Sequence, residues 1–173
     1  AGFGGGEGPA VRFLDQLSQM DAFIHVVRLF DNEAVPHPSE SIDATRDIES
    51  MTLELTFADL GLIEKRLTRI AEETKSMKAA ERTLAERETE LLGRLQEALS
   101  DGVPLRAVAL SDEERKSLRQ YRFLTERPLL TVLNIGEGDA GRAGEIAAAY
   151  PAPPGAPGSG DEVPETSKEE VVA

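Results

Sequence analysis

The first strong apolar pattern along the chain is Ala22-Phe23-Ile24-His25-Val26-Val27-Arg28, nearly continuous and rich in β-branched residues. Such a run predicts a strand buried on both faces of a parallel sheet. Upstream, Pro9 precedes Val11, Leu14 and Leu17 on one face, which predicts a short helix. Downstream, Pro36 and Pro38 punctuate a loop from Asp31 to about Ser41. From Asp43 to about Ser100 the apolar period becomes helical. Leu53, Leu60, Leu67 and Thr74 recur every seven residues, with Ile63, Ile70 and Met77 interleaved. Leu84, Leu91 and Ala98, with Leu95 between them, repeat the arrangement. Two such seams joined near Lys75–Ala80 predict an antiparallel helical hairpin of coiled-coil type. Glu64, Lys65, Arg66, Glu72, Glu73, Glu81, Arg82, Glu86, Arg87 and Glu88 supply its solvated faces, while Thr74 and Glu88 also place polar groups on the seam.

Asp101-Gly102 predicts the end of the second long helix, and Ser111-Asp112-Glu113-Glu114 a capping box opening a short third one. Pro128-Leu129-Leu130-Thr131-Val132-Leu133-Asn134 is a second buried-strand pattern, and a weak helical pattern runs from Ala140 to Tyr150. Residues 151–164 hold five of the ten prolines and read as a loosely held loop. Two buried strands separated by about a hundred residues imply an α/β domain in which the crossover is enlarged into a helical subdomain.

Composition narrows the function classes. The chain has 173 residues, 40% hydrophobic and 29% charged, which suits a soluble globular or helical protein. Its net charge of −13 argues against gripping nucleic acid by charge alone. There is no cysteine, so disulfides and thiol ligands are excluded, and with two histidines no zinc site is expected. No apolar run approaches the ~20 residues of a membrane span. The chain opens on Ala1 without an initiator Met and abruptly on glycines, which leads to the expectation of a fragment.

That opening, Gly2-Phe3-Gly4-Gly5-Gly6-Glu7-Gly8, is not a phosphate-binding loop. A Walker A loop needs a Lys after its glycines, and the first lysine is Lys65. Nor does a strand precede it, as a dinucleotide fingerprint would require. By their residues alone these glycines read as a flexible loop, and His37 between two prolines as a loop residue.

Read together, however, five ordered blocks resemble the YchF-type Obg-like ATPases of the P-loop GTPase class. Gly6-Glu7-Gly8, Phe13-Leu14, Asp21-Ala22 and His25-Val26-Val27-Arg28 with Phe30 are similar to that family's G-E-G-L-G-N-x-F-L and D-A-x-x-H-V-V-R-x-F. His37 with Ile42-Asp43 and Asp47-Ile48-Glu49 resembles its H-V-x-G-x-V-D-P-x-x-D-I-E. Leu53-Glu54-Leu55, Ala58-Asp59-Leu60 and Glu64-Lys65-Arg66 resemble L-E-L-x-x-A-D-L-x-x-x-E-K-R. Phe123-Leu124-Thr125, Pro128 and Asn134-Ile135-Gly136-Glu137 resemble F-L-T-x-K-P followed by N-x-x-E. The chain departs from the pattern at Pro9-Ala10-Val11, at Glu40 and at Ala44.

The resemblance implies a partial G-domain parallel sheet interrupted by an antiparallel α-helical coiled-coil insertion. Residues 1–42 would be the first part of the G domain, 43–122 the helical insertion with its short third helix, 123–150 the return to the G domain, and 151–173 a Pro/Gly-rich loop with an acidic tail. It implies that Ala1-Gly2 ends the switch II motif, and that apolar Phe3 stands where Ras-like enzymes carry the water-orienting Gln. The family's catalytic histidine would be His37, a residue type able to orient or deprotonate water near neutral pH. Asn134 and Glu137 would select the base, Glu in place of Asp favouring ATP over GTP. Thr166-Ser167-Lys168-x-Glu170 resembles the fifth G motif, with Ser167 near the base. ATP (or GTP) and Mg²⁺ are the implied ligands of the parent protein, although the P-loop and the Mg²⁺ ligands are absent from this chain. His25 reads as a structural histidine. The implied setting is cytoplasmic and monomeric, with a ribosome or ribosomal subunit as partner, no membrane and no sequence-specific DNA. Two other readings stay open: an Obg-like GTPase of altered selectivity, and a non-enzymatic coiled-coil interaction module.

Overall fold

The computed structural model describes residues 13, 14, 16–32, 34, 37, 41–152, 154 and 155. Helical backbone at residues 13, 14, 16 and 17 leads into strand β1, Phe23–Arg28. Helix α1 spans Ala44–Glu73, a 3₁₀ turn takes Thr74–Ser76, and helix α2 runs Ala79–Ser100. Helix α3 is Asp112–Leu118, strand β2 is Leu129–Asn134, and helix α4 is Ala143–Ala149. β1 and β2 pair in parallel, in a register running from Phe23 opposite Leu129 to Arg28 opposite Asn134.

Local chemistry explains most of the boundaries. The Asp43 carboxylate accepts from Arg46 N at 3.0 Å and caps α1. Gly102, at φ +77, closes α2 in the left-handed conformation, and Val103 N donates back to Ala98 O at 2.8 Å. At α3 the Ser111 hydroxyl accepts from Glu114 N while the Glu114 carboxylate accepts from Ser111 N, which is the capping box foreseen in the sequence.

Two apolar clusters share α1. In its first half, Leu55, Met51 and Ala58 pack with Phe23, Leu129 and Leu124 under one face of the sheet. In its second half, Ile63 and Ile70 join Ala85, Leu91, Leu92, Leu95 and Leu99 of α2 with Leu105, Leu118 and Phe123. Each fully buried Leu or Ile in these clusters contributes ~2 kcal/mol by removal from water. Asp59 lies between them and is fully buried. Its carboxylate accepts from Leu124 N (2.9 Å), Thr125 N (2.8 Å) and the Thr125 hydroxyl (2.7 Å), tying α1 to the segment that enters β2.

Three expectations are corrected. The strands are buried on one face only: Phe23 and Val27 face the core, whereas Ile24 is 68% and Val26 59% exposed, with Leu130 and Val132 beside them. The apolar residues are there on both faces, but those of the second stay more than a third exposed. The heptad seam also shifts. Leu53 and Leu84 are exposed, and the buried line on α2 is Ala85, Leu92 and Leu99 with Leu91 and Leu95. A two-helix seam assumes one partner, whereas α2 also meets Leu105, Leu118 and Phe123, which rotates and widens its buried stripe. Lastly, the helical pattern after β2 starts as 3₁₀ backbone at Glu137–Arg142 before α4, consistent with glycines at 138 and 141.

Glu88 is not a lone polar group on the seam. The Arg66 guanidinium grips it through two 2.8 Å bonds, and the Tyr121 hydroxyl donates to the same carboxylate. Arg66 therefore faces α2 and the Tyr121 ring, which stacks on Phe123 at 5.3 Å, rather than open solvent. This grip holds the Glu88 carboxyl below the usual range.

Candidate functional site

Parallel strands bring their carboxyl ends to one edge, where open α/β sheets bind ligands. Here that edge carries Arg28 of β1 and Asn134 of β2, opposite one another in register. Leu29 N donates to Asn134 O at 2.8 Å, which prolongs the pairing by one residue. The Arg28 Nε donates to Phe30 O at 2.8 Å and its guanidinium lies 4.8 Å from the centre of the Phe30 ring. The turn after β2 comes close: a Cβ on Gly136 would sit 3.4 Å from the Phe30 Cβ. Asn134 and Glu137 are both exposed at this edge, Asn134 as the last strand residue and Glu137 at the first 3₁₀ position.

His37 sits in the loop between β1 and α1 and turns toward the first turns of α1. Its Nε2 lies 3.1 Å from Asp47 Oδ2, with side chains 13% and 20% exposed. The other Asp47 oxygen is held by Arg46, whose Nε and Nη2 reach Oδ1 at 3.1 and 3.0 Å. Arg46 in turn donates to the Ser41 hydroxyl at 2.8 Å and to Ser41 O at 2.7 Å. The backbone under Asp47 is fixed as well, Asp47 N donating to Asp43 O at 3.0 Å. His25 on β1 feels the same carboxylate: burial lowers its pKa, and the Asp47 charge opposes that shift.

Of the candidate site residues, His37, Asn134 and Glu137 are thus placed, and Gly2, Phe3 and Ser167 lie outside the described residues. His25 pairs in the strand opposite Thr131. Among the described residues no group of three or more His, Asp or Glu side chains is arranged to hold a metal ion, so no step is assigned to Mg²⁺ on these residues. In the sequence Asp47 and Asp59 stood out only as members of the family blocks, and Arg46 not at all. The spacing from capping Asp43 to Asp47, one turn along the same helix, was the available signal for Asp47 and Arg46.

Helices inserted between two parallel strands, with Asn134-Ile135-Gly136-Glu137 at the sheet's carboxyl edge, have a solved counterpart among the P-loop NTPases. The YchF GTPase structure of Schizosaccharomyces pombe matches with a TM-score of 0.68 and 27% identity, over 83% of this chain and 38% of that one. The ribosome-binding ATPase YchF of Bacillus subtilis is 38% identical over 132 residues, covering 76% of this chain and 35% of that protein. The Obg-like ATPase 1 of Caenorhabditis elegans is 30% identical over 141 residues, covering 78% of this chain and 33% of its own length. The chain belongs to the YchF family of Obg-like ATPases. It spans about a third of the length of the curated relatives it matches. No family model matches the chain.

Proposed function

We propose that this chain is the base-selecting and water-orienting part of a protein that binds and hydrolyses ATP in association with the ribosome. The observation that carries the reading is the match to a ribosome-binding ATPase at 38% identity over 132 residues, 76% of this chain. Asn134 and Glu137 would contact the base at the carboxyl edge of β2, with Glu137 favouring adenine. His37 would orient or deprotonate the attacking water in place of the Ras-type Gln, whose position Phe3 occupies. Gly2 and Ser167 would lie near the nucleotide. α1 to α3 would form a coiled-coil insertion, residues 43–122, between G-domain parts at 1–42 and 123–150, with residues 151–173 as a loop and tail. The setting would be cytoplasmic; among the described residues no helix is long and apolar enough to cross a membrane. ATP against GTP is decided by direct comparison of the two nucleotides as substrates of the whole protein.

This sequence contains no Gly-Lys-[Ser/Thr] to hold the β- and γ-phosphates, and phosphate contacts dominate nucleotide affinity in P-loop enzymes. The isolated chain is therefore expected to show no micromolar binding in a calorimetric titration with ATP and Mg²⁺. Micromolar binding would overturn the division of labour proposed here. The reading as a helical interaction module has its own support in Leu53, Phe57 and Leu84, large apolar side chains left exposed on the two long helices. Deleting residues 75–90 separates the two: loss of partner binding with hydrolysis intact makes the helices a docking arm.

A further inference from the structure

Both histidines of this chain are coupled to one carboxylate. His37 Nε2 lies 3.1 Å from Asp47 Oδ2, and His25 on β1 feels the same charge. Asp47 is also anchored on two sides. Its backbone N–H is bonded into the first turn of α1, and Oδ1 is clamped by two nitrogens of Arg46. Arg46 is itself tied to Ser41 at two points. Only Oδ2 is directed at the loop, and it meets a ring nitrogen. A carboxylate held this firmly cannot rotate to follow a mobile imidazole, so the imidazole must come to it.

We propose that Asp47 is a positioning residue for His37, fixing both the ring's orientation and its tautomer by accepting a hydrogen bond from Nε2–H. The inference rests on the reading of His37 as the residue that handles the attacking water. The chemistry is general: the hydrogen bond at one imidazole nitrogen decides which nitrogen bears the proton. With Nε2 protonated toward Asp47, the neutral ring carries its lone pair on Nδ1. When the ring accepts a proton, the adjacent carboxylate stabilises the imidazolium, and it does so without itself becoming protonated. Arg46, which neutralises part of the Asp47 charge, and His25, across the strand, are the charged and titratable groups that share this field.

Long-range ¹H–¹⁵N correlation of the imidazole nitrogens tests this directly in the chain itself, at a pH where the rings are neutral. The expected result is a single Nε2–H tautomer for His37. In Asp47→Ala the pattern should relax to a mixture of both tautomers, while methyl dispersion and helical circular dichroism stay native. Asp47→Ser serves the same purpose should Ala loosen the first turn of α1, because its short hydroxyl suits a helix start but does not reach His37. Asp47→Glu, which restores a carboxylate within reach, should return the single tautomer. An Nδ1–H or mixed tautomer in the unsubstituted chain overturns the proposal whatever the variants do, as does a wild-type pattern in a folded Asp47→Ala or Asp47→Ser. The readout needs no nucleotide turnover. Failure of the hydrolase reading would show separately, as unchanged hydrolysis by a His37→Ala form of the whole protein.

Discussion

Asp59 is a fully buried carboxylate whose three hydrogen bonds are all donated by Leu124 and Thr125. Two effects compete on it. Burial penalises the charge and the three donors favour it, and burial wins, pushing the carboxyl from 3.8 up to about 6. The folded chain consequently takes up a proton between about pH 6 and pH 3.8 that the unfolded chain does not. Stability from this group rises as pH falls through 6 and is lost again above it, by about 2 kcal/mol between pH 4.5 and 7. Urea melts at the two pH values should show that slope, and Asp59→Asn should flatten it. An equal slope in the variant would place the proton elsewhere. Asp59→Ala removes the acceptor for two buried backbone N–H groups and is expected to destabilise by about 3 kcal/mol. The same denaturation curves read that loss.

At the scale of elements, the helices are held by apolar stripes and fastened by one part-buried polar clasp. Arg66, Glu88 and Tyr121 come from α1, α2 and the segment after α3, so the clasp joins three parts of the chain. Its bidentate geometry at about a quarter exposure should give a coupling of ~1 kcal/mol in an Arg66→Ala/Glu88→Ala double-mutant cycle. The Arg69–Glu73 pair on the outer face of α1 should give none that can be measured. How far the sequence foretold these elements follows from what each depends on. Caps and breaks rest on neighbouring residues, so Ser111–Glu114 and Gly102 were legible. The buried stripe of α2 also depends on Leu105, Leu118 and Phe123, which lie beyond the helix in sequence, so Leu91 and Leu95 were legible while Ala85, Leu92 and Leu99 were not. Arg66 and Glu88 looked like solvated charges because their pairing spans 22 residues and two helices.

The whole molecule shows the same division. Periodicity alone located β1 and β2 and the helices between them, and the parallel pairing agrees with the crossover logic. It could not show that Ile24, Val26, Leu130 and Val132 stand exposed, since an apolar run reads alike whichever of its faces is buried. The positions of Asn134 at the end of β2 and Glu137 just beyond it were legible because the apolar run that makes the strand stops there. The Asp47–His37 contact was not, because it closes a loop onto a helix start, and no local pattern encodes such a closure. Under the proposed function, His37 handles water in ATP hydrolysis by the whole protein. Steady-state hydrolysis by the whole protein carrying His37→Ala tests it most directly. The expected result is a fall in kcat of about 100-fold with the KM for ATP little changed, as for loss of a group acting in the transition state. A kcat equal to that of the unsubstituted protein would contradict it.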